Sequence, residues 1–177
     1  MSTYSLLNAG RIVAGPDSIE QIAEIVKDYG ASRVLIISDK GVARAGLIDR
    51  PKALLEAAGI AVSILDDTPP EPEVEQANAI VTAAKNSGCD MVVGIGGGSA
   101  MDAGKAVSAT LPQQGSVVDF LEGMETRRHD GRKTPYLAVP TSSGTGSEAT
   151  KNAVLSRTGE HGFKASLRHD NFIPDVA

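Results

Sequence analysis

Residues 91–105 read MVVGIGGGSAMDAGK, so three consecutive glycines separate a run of β-forming residues from a helical stretch. A strand that passes through glycines directly into a helix often binds a phosphate, because the free N–H groups of the first helical turn point at the anion and the helix dipole favours negative charge. Glycine has no Cβ and lets a ligand approach the backbone closely. We therefore expect an anion site at this junction. A tight turn without a ligand is the alternative.

Two familiar phosphate motifs do not fit this junction. In a P-loop, four residues separate the first glycine from a Gly-Lys pair, which is followed by Ser or Thr. Here Gly98 precedes Gly104 and Lys105 by one residue too many, and Ala106 takes the Ser/Thr place. The dinucleotide fingerprint G-x-G-x-x-G belongs after the first strand of a Rossmann unit, whereas GIGGGS follows the third predicted strand and ends in Ser99.

Short apolar runs alternate with amphipathic helical stretches along most of the chain. The predicted strands are Arg33–Ser38, Ala61–Asp67, Met91–Gly96 and Tyr136–Pro140, and the predicted helices are Ser18–Tyr29, Leu47–Ala58, Val74–Ser87 and Ser99–Thr110. This alternation predicts an α/β fold with a doubly wound, mostly parallel, Rossmann-like sheet and helices on both faces. The opening SLLNAGRIVAG is compatible with an extra hairpin, and residues 113–133 are predicted to form a surface connection.

Composition narrows the classes of partner and location. A chain of 177 residues with 41% hydrophobic content is expected to form one domain, and its net charge of −5 argues against binding nucleic acid. The single cysteine, Cys89, excludes an internal disulfide and fits a reducing compartment. We find neither a secretory signal pattern nor an apolar run long enough for a membrane span, and we expect a cytoplasmic protein without a membrane partner.

Polar residues follow two of the predicted strands. Asp39 comes just after the first strand, at the sheet edge where doubly wound proteins bind ligands. Its carboxylate is suited to accept both hydroxyls of an adenosine ribose and would repel a 2′-phosphate, which favours NAD over NADP. A helix N-cap is an equally good interpretation of Asp39. The later loop VPTSSGTGSE (139–148) is dense in hydroxyls. It lacks the G-x-S-x-G pattern of a hydrolase, and donors for a nucleotide's phosphate or base explain it better.

The two glycine-rich segments in this order resemble the iron-containing (group III) alcohol dehydrogenase family. GGGSAMDAGKA (96–106) is followed by VPTSSGTGSEAT (139–150), and SDKGV (38–42), the PEP turn (70–72) and FKAS (163–166) add to the resemblance. It implies that residues 1–177 are a dinucleotide-binding α/β domain. In the family this domain is joined to an all-helical C-terminal domain that holds Fe²⁺ or Zn²⁺, and the reaction is reversible hydride transfer between an alcohol and NAD(P)⁺.

The resemblance also implies the cofactor-binding residues. They are Asp39 for the adenosine ribose, Gly97, Gly98 and Ser99 for the pyrophosphate with Asp102 nearby, Thr141, Ser142 and Thr145 on the adenine and phosphate side, and Lys164 for the nicotinamide ribose. Ser142 replaces a Thr of many members and keeps the hydroxyl. Glu71 stands where an Asn is common in the corresponding PNP turn of the family, so we assign no cofactor contact there.

The family's metal ligands, an Asp and three His, belong to the helical domain, which we expect to be absent from residues 1–177. His129, His161 and His169 lack helix-face metal spacing, and we expect them at the surface. No catalytic and no metal-binding residue is therefore assigned in this chain. In the complete enzyme the metal would act as a Lewis acid on the oxygen of a small alcohol or aldehyde.

We therefore expect the chain to be the cofactor-binding half of an NAD-dependent alcohol dehydrogenase that binds NAD without turnover. Two alternatives stay open: a stand-alone nucleotide-binding module that assembles without catalysis, and a fragment related to glycerol dehydrogenase. Without the helical domain an apolar face would be uncovered, and such faces drive association. We expect a homo-oligomer.

Overall fold

The computed structural model describes residues 8–69, 74–157 and 162–177. Its strands are β1 Arg33–Ile37, β2 Ala61–Leu65, β3 Met91–Gly96, β4 Tyr136–Pro140, β5 Asn152–Arg157 and β6 Phe163–Arg168. Its α-helices are α1 Ile22–Asp28, α2 Lys40–Arg44, α3 Asp49–Ala57, α4 Val74–Ser87 and α5 Gly98–Thr110. Short 3₁₀ turns occupy Ser18–Gln21, Val117–Phe120, Ser147–Ala149 and Asp170–Phe172.

The first four strands form one parallel sheet in the order β2-β1-β3-β4. Successive residues of a strand point to opposite faces of a sheet, and β1 is apolar on both. Leu35 and Ile37 pack into a core with α4 and α5, whereas Val34 and Ile36 pack into a second core with α1 and α3. The predicted α/β fold with helices on both faces of a parallel sheet is confirmed. All four carboxyl ends therefore lie at the same edge.

The expected opening hairpin stays a prediction, because the structure describes only part of it. Its first arm, residues 5–7, lies outside the described residues. The second arm runs parallel to the segment 175–177, with the Arg11 N–H 3.0 Å from the Asp175 carbonyl and the Val13 N–H 2.8 Å from the Ala177 carbonyl. Val176 in turn bridges to Leu137 of β4, so these segments extend the main sheet. Pairing with a distant segment leaves no signal in the local pattern.

Residues 113–133 are not merely a surface connection, because this stretch contributes to the core. Ser116 and Asp119 form a capping box that starts the 3₁₀ turn. The turn buries Val117 and Phe120 against the α4–α5 side of the sheet. A short turn does not produce the long periodic pattern by which helices are recognised in a sequence.

Two further elements have no counterpart among the sequence predictions. Asp39 caps the five-residue helix α2, which is too short to show a period. Strands β5 and β6 form an antiparallel pair, in which Leu155 of β5 and Leu167 of β6 pack into the core beside α5. The predicted helix at 18–29 begins instead as a 3₁₀ turn and becomes α-helical at Ile22. In the described part of the chain, no helix has the length and apolarity needed to cross a membrane.

Candidate functional site

The junction between β3 and α5 depends on Gly96. All six residues of β3 are buried, and the backbone of Gly96 has φ +152°, where side chains are rarely tolerated. A Cβ at this position would lie 2.7 Å from the Cβ of Ala100. Only glycine therefore lets the chain pass from the buried strand into the helix within one residue.

Helix α5 begins at this junction and faces a cavity at the carboxyl edge of the sheet. Gly97 is its N-cap in extended conformation, and the helix continues for 13 residues. The cavity measures about 510 Å³, and its walls include Asp39, Asp67, Thr68, Gly97, Gly98 and Ser99. A volume of several hundred Å³ is typical of a ligand pocket. The predicted anion site thus lies at the first turn of a long helix with open space in front of it.

Asp39 uses one carboxylate oxygen as a helix cap. Its Oδ1 accepts hydrogen bonds from the backbone N–H groups of Gly41 at 2.8 Å and Val42 at 2.9 Å. The N-cap interpretation is therefore confirmed. The other oxygen, Oδ2, is 3.3 Å from the position of a Cβ on Gly96, so it lies beside the glycine turn. The same carboxylate lines the cavity.

The hydroxyl-rich loop that follows β4 lies against the glycine motif. The Thr141 N–H donates to the Gly96 carbonyl at 2.9 Å. The Ser142 hydroxyl oxygen is 3.4 Å from where a Cβ on Gly97 would be, and Thr145 approaches the corresponding position on Gly98 to 3.3 Å. The structure thus brings together the two glycine-rich segments that lie far apart in the sequence.

A second cavity of about 210 Å³ lies on the other side of the α5 N-terminus. Its walls include Gly98, Ser99, Asp102, Val154, Ser156 and Lys164. Lys164 is exposed on β6, opposite Ser156 of β5. Gly98 and Ser99 line both cavities. The two cavities therefore adjoin at the start of α5, and together, as the groove, they are lined by predicted residues from Asp39 at one end to Lys164 at the other.

Comparison with known proteins agrees with this arrangement. The family described as iron-containing alcohol dehydrogenase matches residues 9–177. This chain belongs to the iron-containing alcohol dehydrogenase family. It is 35% identical to a long-chain-alcohol dehydrogenase of Geobacillus thermodenitrificans, over 97% of this chain and 44% of that protein. The chain thus spans less than half the length of this relative.

Solved structures of other family members have the same fold. The NADH-dependent butanol dehydrogenase A of Thermotoga maritima superposes with a TM-score of 0.90 at 28% identity, over 99% of this chain and 44% of that one. A sulfoacetaldehyde reductase of Bifidobacterium kashiwanohense, solved in complex with NAD⁺, gives a TM-score of 0.88 at 29% identity, over 99% of this chain and 46% of that one.

Asp102 is engaged by the protein itself in this family member. Its Oδ1 accepts a short hydrogen bond from the Ser147 hydroxyl, and its Oδ2 accepts one from the Val154 N–H at 3.1 Å. These contacts join α5 to the polar loop and to β5. Asp102 still lines the second cavity, but both of its oxygens already have protein partners.

Sequence reasoning assigned no role to Lys105, although it lies within the quoted motif. Its side chain is 1% exposed, and its ammonium contacts the segment from Ser147 to Asn152. Position 105 falls one turn after Met101, on a helix whose neighbouring positions are small and apolar. A lysine in such an apolar stripe indicates a buried ammonium with bonding partners, because a lysine is almost never fully buried without them.

The two histidines that the structure describes, His129 and His169, do not belong to a metal site. His129 is half-buried, with its ring edge-on to Phe120 and Phe172 at centroid distances of 5.0 and 4.6 Å, so the expectation of a surface residue is wrong. The reason is that the 113–133 stretch folds inward. His169 is also partly buried, and His161, like Glu71, lies outside the described residues. Among the described residues, no group of three or more His, Cys, Asp or Glu side chains is placed to hold a metal ion.

Proposed function

We propose that this chain is the cofactor-binding half of a metal-dependent alcohol dehydrogenase and that it binds NAD without turning over alcohol by itself. The observation that carries the proposal is the groove from Asp39 to Lys164, because Gly98 and Ser99 at the start of α5 line both of its cavities. A dinucleotide has its pyrophosphate in the middle and a ribose on each side. The groove has an anion-binding helix start in the middle and polar side chains at each end.

Each part of the groove matches one part of the dinucleotide. Gly97, Gly98 and Ser99 would hold the pyrophosphate with backbone N–H groups and the helix dipole. Asp39 would accept the adenosine ribose hydroxyls, and Lys164 would reach the nicotinamide ribose. The hydroxyls of Thr141, Ser142 and Thr145 would line the adenine and phosphate side. When bound, NAD supplies the hydride acceptor or donor, and the protein supplies position and electrostatics.

NAD is preferred over NADP in this proposal because of Asp39. The 2′-phosphate of NADP would meet a carboxylate held rigidly by two N–H groups. Two negative charges in contact repel each other, and the repulsion is stronger in a partly enclosed groove than in water.

We assign no catalytic residue and no metal ligand to this chain. Its described residues do not fit the Fe²⁺ or Zn²⁺ that the family implies, since they contain no suitable cluster of ligands. The conversion of a small alcohol or aldehyde is therefore proposed only for an enzyme that also includes the family's all-helical domain. A cytoplasmic location, without nucleic acid or membrane partners, goes with this proposal, because the chain is acidic and has one cysteine.

The experiment is a calorimetric titration of the chain with NAD⁺ and, separately, with NADP⁺. We expect NAD⁺ to bind and NADP⁺ to bind at least tenfold more weakly. A repulsion of about 1.4 kcal/mol between the 2′-phosphate and the carboxylate lowers the affinity tenfold. Binding of neither nucleotide contradicts the proposal. A parallel assay with alcohol, NAD⁺ and Fe²⁺ or Zn²⁺ should give no NADH above the level of an empty-vector preparation.

A further inference from the structure

The ammonium of Lys105 is buried and surrounded by acceptors from one short segment. Its Nζ donates to the carbonyls of Ser147 and Asn152, each at 2.8 Å. The hydroxyl oxygens of Ser147 at 3.2 Å and Thr150 at 3.4 Å complete the surroundings. An ammonium group has three N–H donors, and the segment 147–152 offers at least as many acceptors.

A buried charge of this kind is not needed for packing. An uncharged side chain of similar length would fill the same space, but removing one partner of a buried charged contact leaves the polar groups of the other partner unpaired, which is destabilising. Burial lowers the pKa of Lys105 to about 8, although the negative charges of Asp102 and Glu148 act in the opposite direction. The ammonium is therefore costly to bury, and its directed hydrogen bonds are what it contributes.

The contacts of Lys105 join the two halves of the groove. Its backbone belongs to α5, whose first turn carries Gly98 and Ser99. Its ammonium holds the segment that ends the hydroxyl-rich loop and begins β5, and the partner of β5 is β6, which carries Lys164. Asp102, one turn earlier, contacts Ser147 and Val154 of the same segment. Asp102 and Lys105, on successive turns of α5, therefore both bind the same segment with side chains of opposite charge.

We propose that Lys105 is a positioning residue, which fixes the segment 147–152 and the β5–β6 pair over the start of α5 so that both cavities form one groove. This inference rests on the proposed function, because the groove is the dinucleotide site. Without the ammonium, α5 and the sheet would remain, but the segment 147–152 would lose its contacts with Nζ and would depend on Asp102 and on the core packing of β5. The loss of affinity would concern the parts of the dinucleotide that lie beyond the phosphate next to adenosine, such as the nicotinamide ribose.

The test compares Lys105→Met with the wild-type chain by amide hydrogen exchange and by calorimetry. We expect protection in residues 147–157 and 163–168 to fall at least tenfold in Lys105→Met, while protection in β1 and β3 stays unchanged. ADP-ribose, which extends to the second ribose, should bind at least tenfold more weakly, and AMP within threefold of wild type. A purely structural defect would change both ligands together. Lys85→Met, on α4, is the matched control, because it removes an exposed ammonium that donates to the Gln113 carbonyl.

A second measurement needs no variant. Because burial lowers the pKa of Lys105 to about 8, opening of the segment takes up a proton above that pH. Wild-type protection factors in 147–157 should therefore rise between pH 7 and 9.5, and the rise should be absent in Lys105→Met. The other charged groups that act on Lys105 are Asp102, Glu148 and Lys133, and both proteins share them.

Wild-type protection in the segment 147–157 of Lys105→Met, or a pH response that Lys105→Met retains, overturns the inference. If Lys105→Met does not fold, the wild-type pH response alone decides, and its absence has the same meaning. If wild-type protein binds neither NAD⁺ nor ADP-ribose, the proposed function fails, whereas the exchange comparison still decides the role of Lys105.

Discussion

The Tyr136 hydroxyl donates a hydrogen bond to the Met101 carbonyl at 2.9 Å, and its ring fills the space left by two glycines. Tyr136 is fully buried on β4, between Gly94 of the neighbouring strand and Gly104 of α5. A Cβ on Gly104 would lie 2.8 Å from the Tyr136 ring. The glycine in the middle of α5 is therefore explained by a tyrosine that is distant in the sequence, and this contact sets how closely the anion-binding helix approaches the sheet.

Replacing Gly104 with Ala should destabilise the chain. Alanine favours a helix by about 1 kcal/mol over glycine, but overpacking a rigid aromatic ring costs about 1–3 kcal/mol. We expect a net loss of up to about 2 kcal/mol in the free energy of unfolding, measured by urea denaturation. In a Tyr136→Leu background, where the ring is gone, the same substitution should be neutral or stabilising. An equal loss in both backgrounds contradicts this account.

Two buried threonine hydroxyls offer a second test, because neither finds a hydrogen-bond partner among the described residues. Thr68 and Thr110 are 3% and 0% exposed. Thr68 lines the larger cavity near Asp39, whereas Thr110 ends α5 away from it. An unsatisfied buried polar group costs about 1–3 kcal/mol, so Thr→Val at either position should leave the unfolding free energy unchanged or raise it by about 1 kcal/mol.

The two threonine variants also distinguish an effect on stability from an effect on NAD⁺ binding. NAD⁺ affinity should be the same in Thr110→Val and in wild type. A loss of affinity in Thr68→Val alone would show that its hydroxyl turns towards the ligand. Destabilisation of both variants would mean that water satisfies these hydroxyls in solution.

The alternating elements could be predicted from the sequence because each of them is long or apolar enough to show its own period. The strand at 91–96 and the helix at 74–87 coincide with the predicted ranges. The pair of β5 and β6 was missed because its strands are half-exposed and mix charged with apolar residues. The pairing of Arg11 with Val176 is a contact between the two ends of the chain, and no local pattern reports it.

Some residues of the candidate site could likewise be predicted from the sequence, and others could not. The glycines, Asp39 and the hydroxyl-rich loop could be assigned because motif and resemblance agree at those positions. The partners of Asp102 and Lys105 could not, because they depend on how the segment 147–154 folds back over α5. The N-cap role of Asp39 was one of two interpretations of the sequence, and the geometry confirms it, whereas the ribose contact stays a prediction.

A separate apolar cavity at the surface, beside the sheet edge, makes the expected oligomer testable. Its lining includes Ile12, Ile19, Ile22, Leu137 and Val176, and Ile12 is 58% exposed. Burying such a surface favours association, so light scattering should give at least a dimer at micromolar concentration. Ile12→Lys should weaken association. Ile64→Lys, which changes a 36% exposed isoleucine on the far edge strand β2, is the control. A wild-type monomer at high concentration contradicts the expectation.

His129 should make stability depend on pH. Its Nε2 lies 2.9 Å from the Ala109 carbonyl, and its Nδ1 accepts from the Gly131 N–H at 2.9 Å, an arrangement that requires the neutral ring. Burial lowers the pKa of His129 below its usual 6.5. The unfolded chain therefore takes up the proton first, and the contribution of the neutral ring is complete above pH 6.5 and is lost as the pH falls towards the folded-state pKa.

Urea unfolding at pH 8, 7, 6 and 5 measures this effect. His129→Gln should be less stable than wild type at pH 8, and the difference should shrink towards pH 5 because the variant has no ring to protonate. His169→Gln is the matched control and should keep the wild-type pH dependence. A constant difference between His129→Gln and wild type across this range would refute the assignment.

Asp39→Asn tests the ribose contact without removing the helix cap. Asparagine is as good an N-cap as aspartate, so its side-chain oxygen can still accept from Gly41 and Val42, and the thermal midpoint should not change. The carboxylate charge is lost, and a hydrogen bond to a charged group is worth about 1.5–3 kcal/mol. We therefore expect NAD⁺ to bind about tenfold or more weakly, and NADP⁺ to bind relatively better, because the repulsion of its 2′-phosphate disappears. Asp67→Asn, which neutralises the other carboxylate in the same cavity, should change both affinities by less than threefold. If Asp67→Asn shows the larger effect, the adenosine ribose is selected by Asp67 at the end of β2 and not by Asp39.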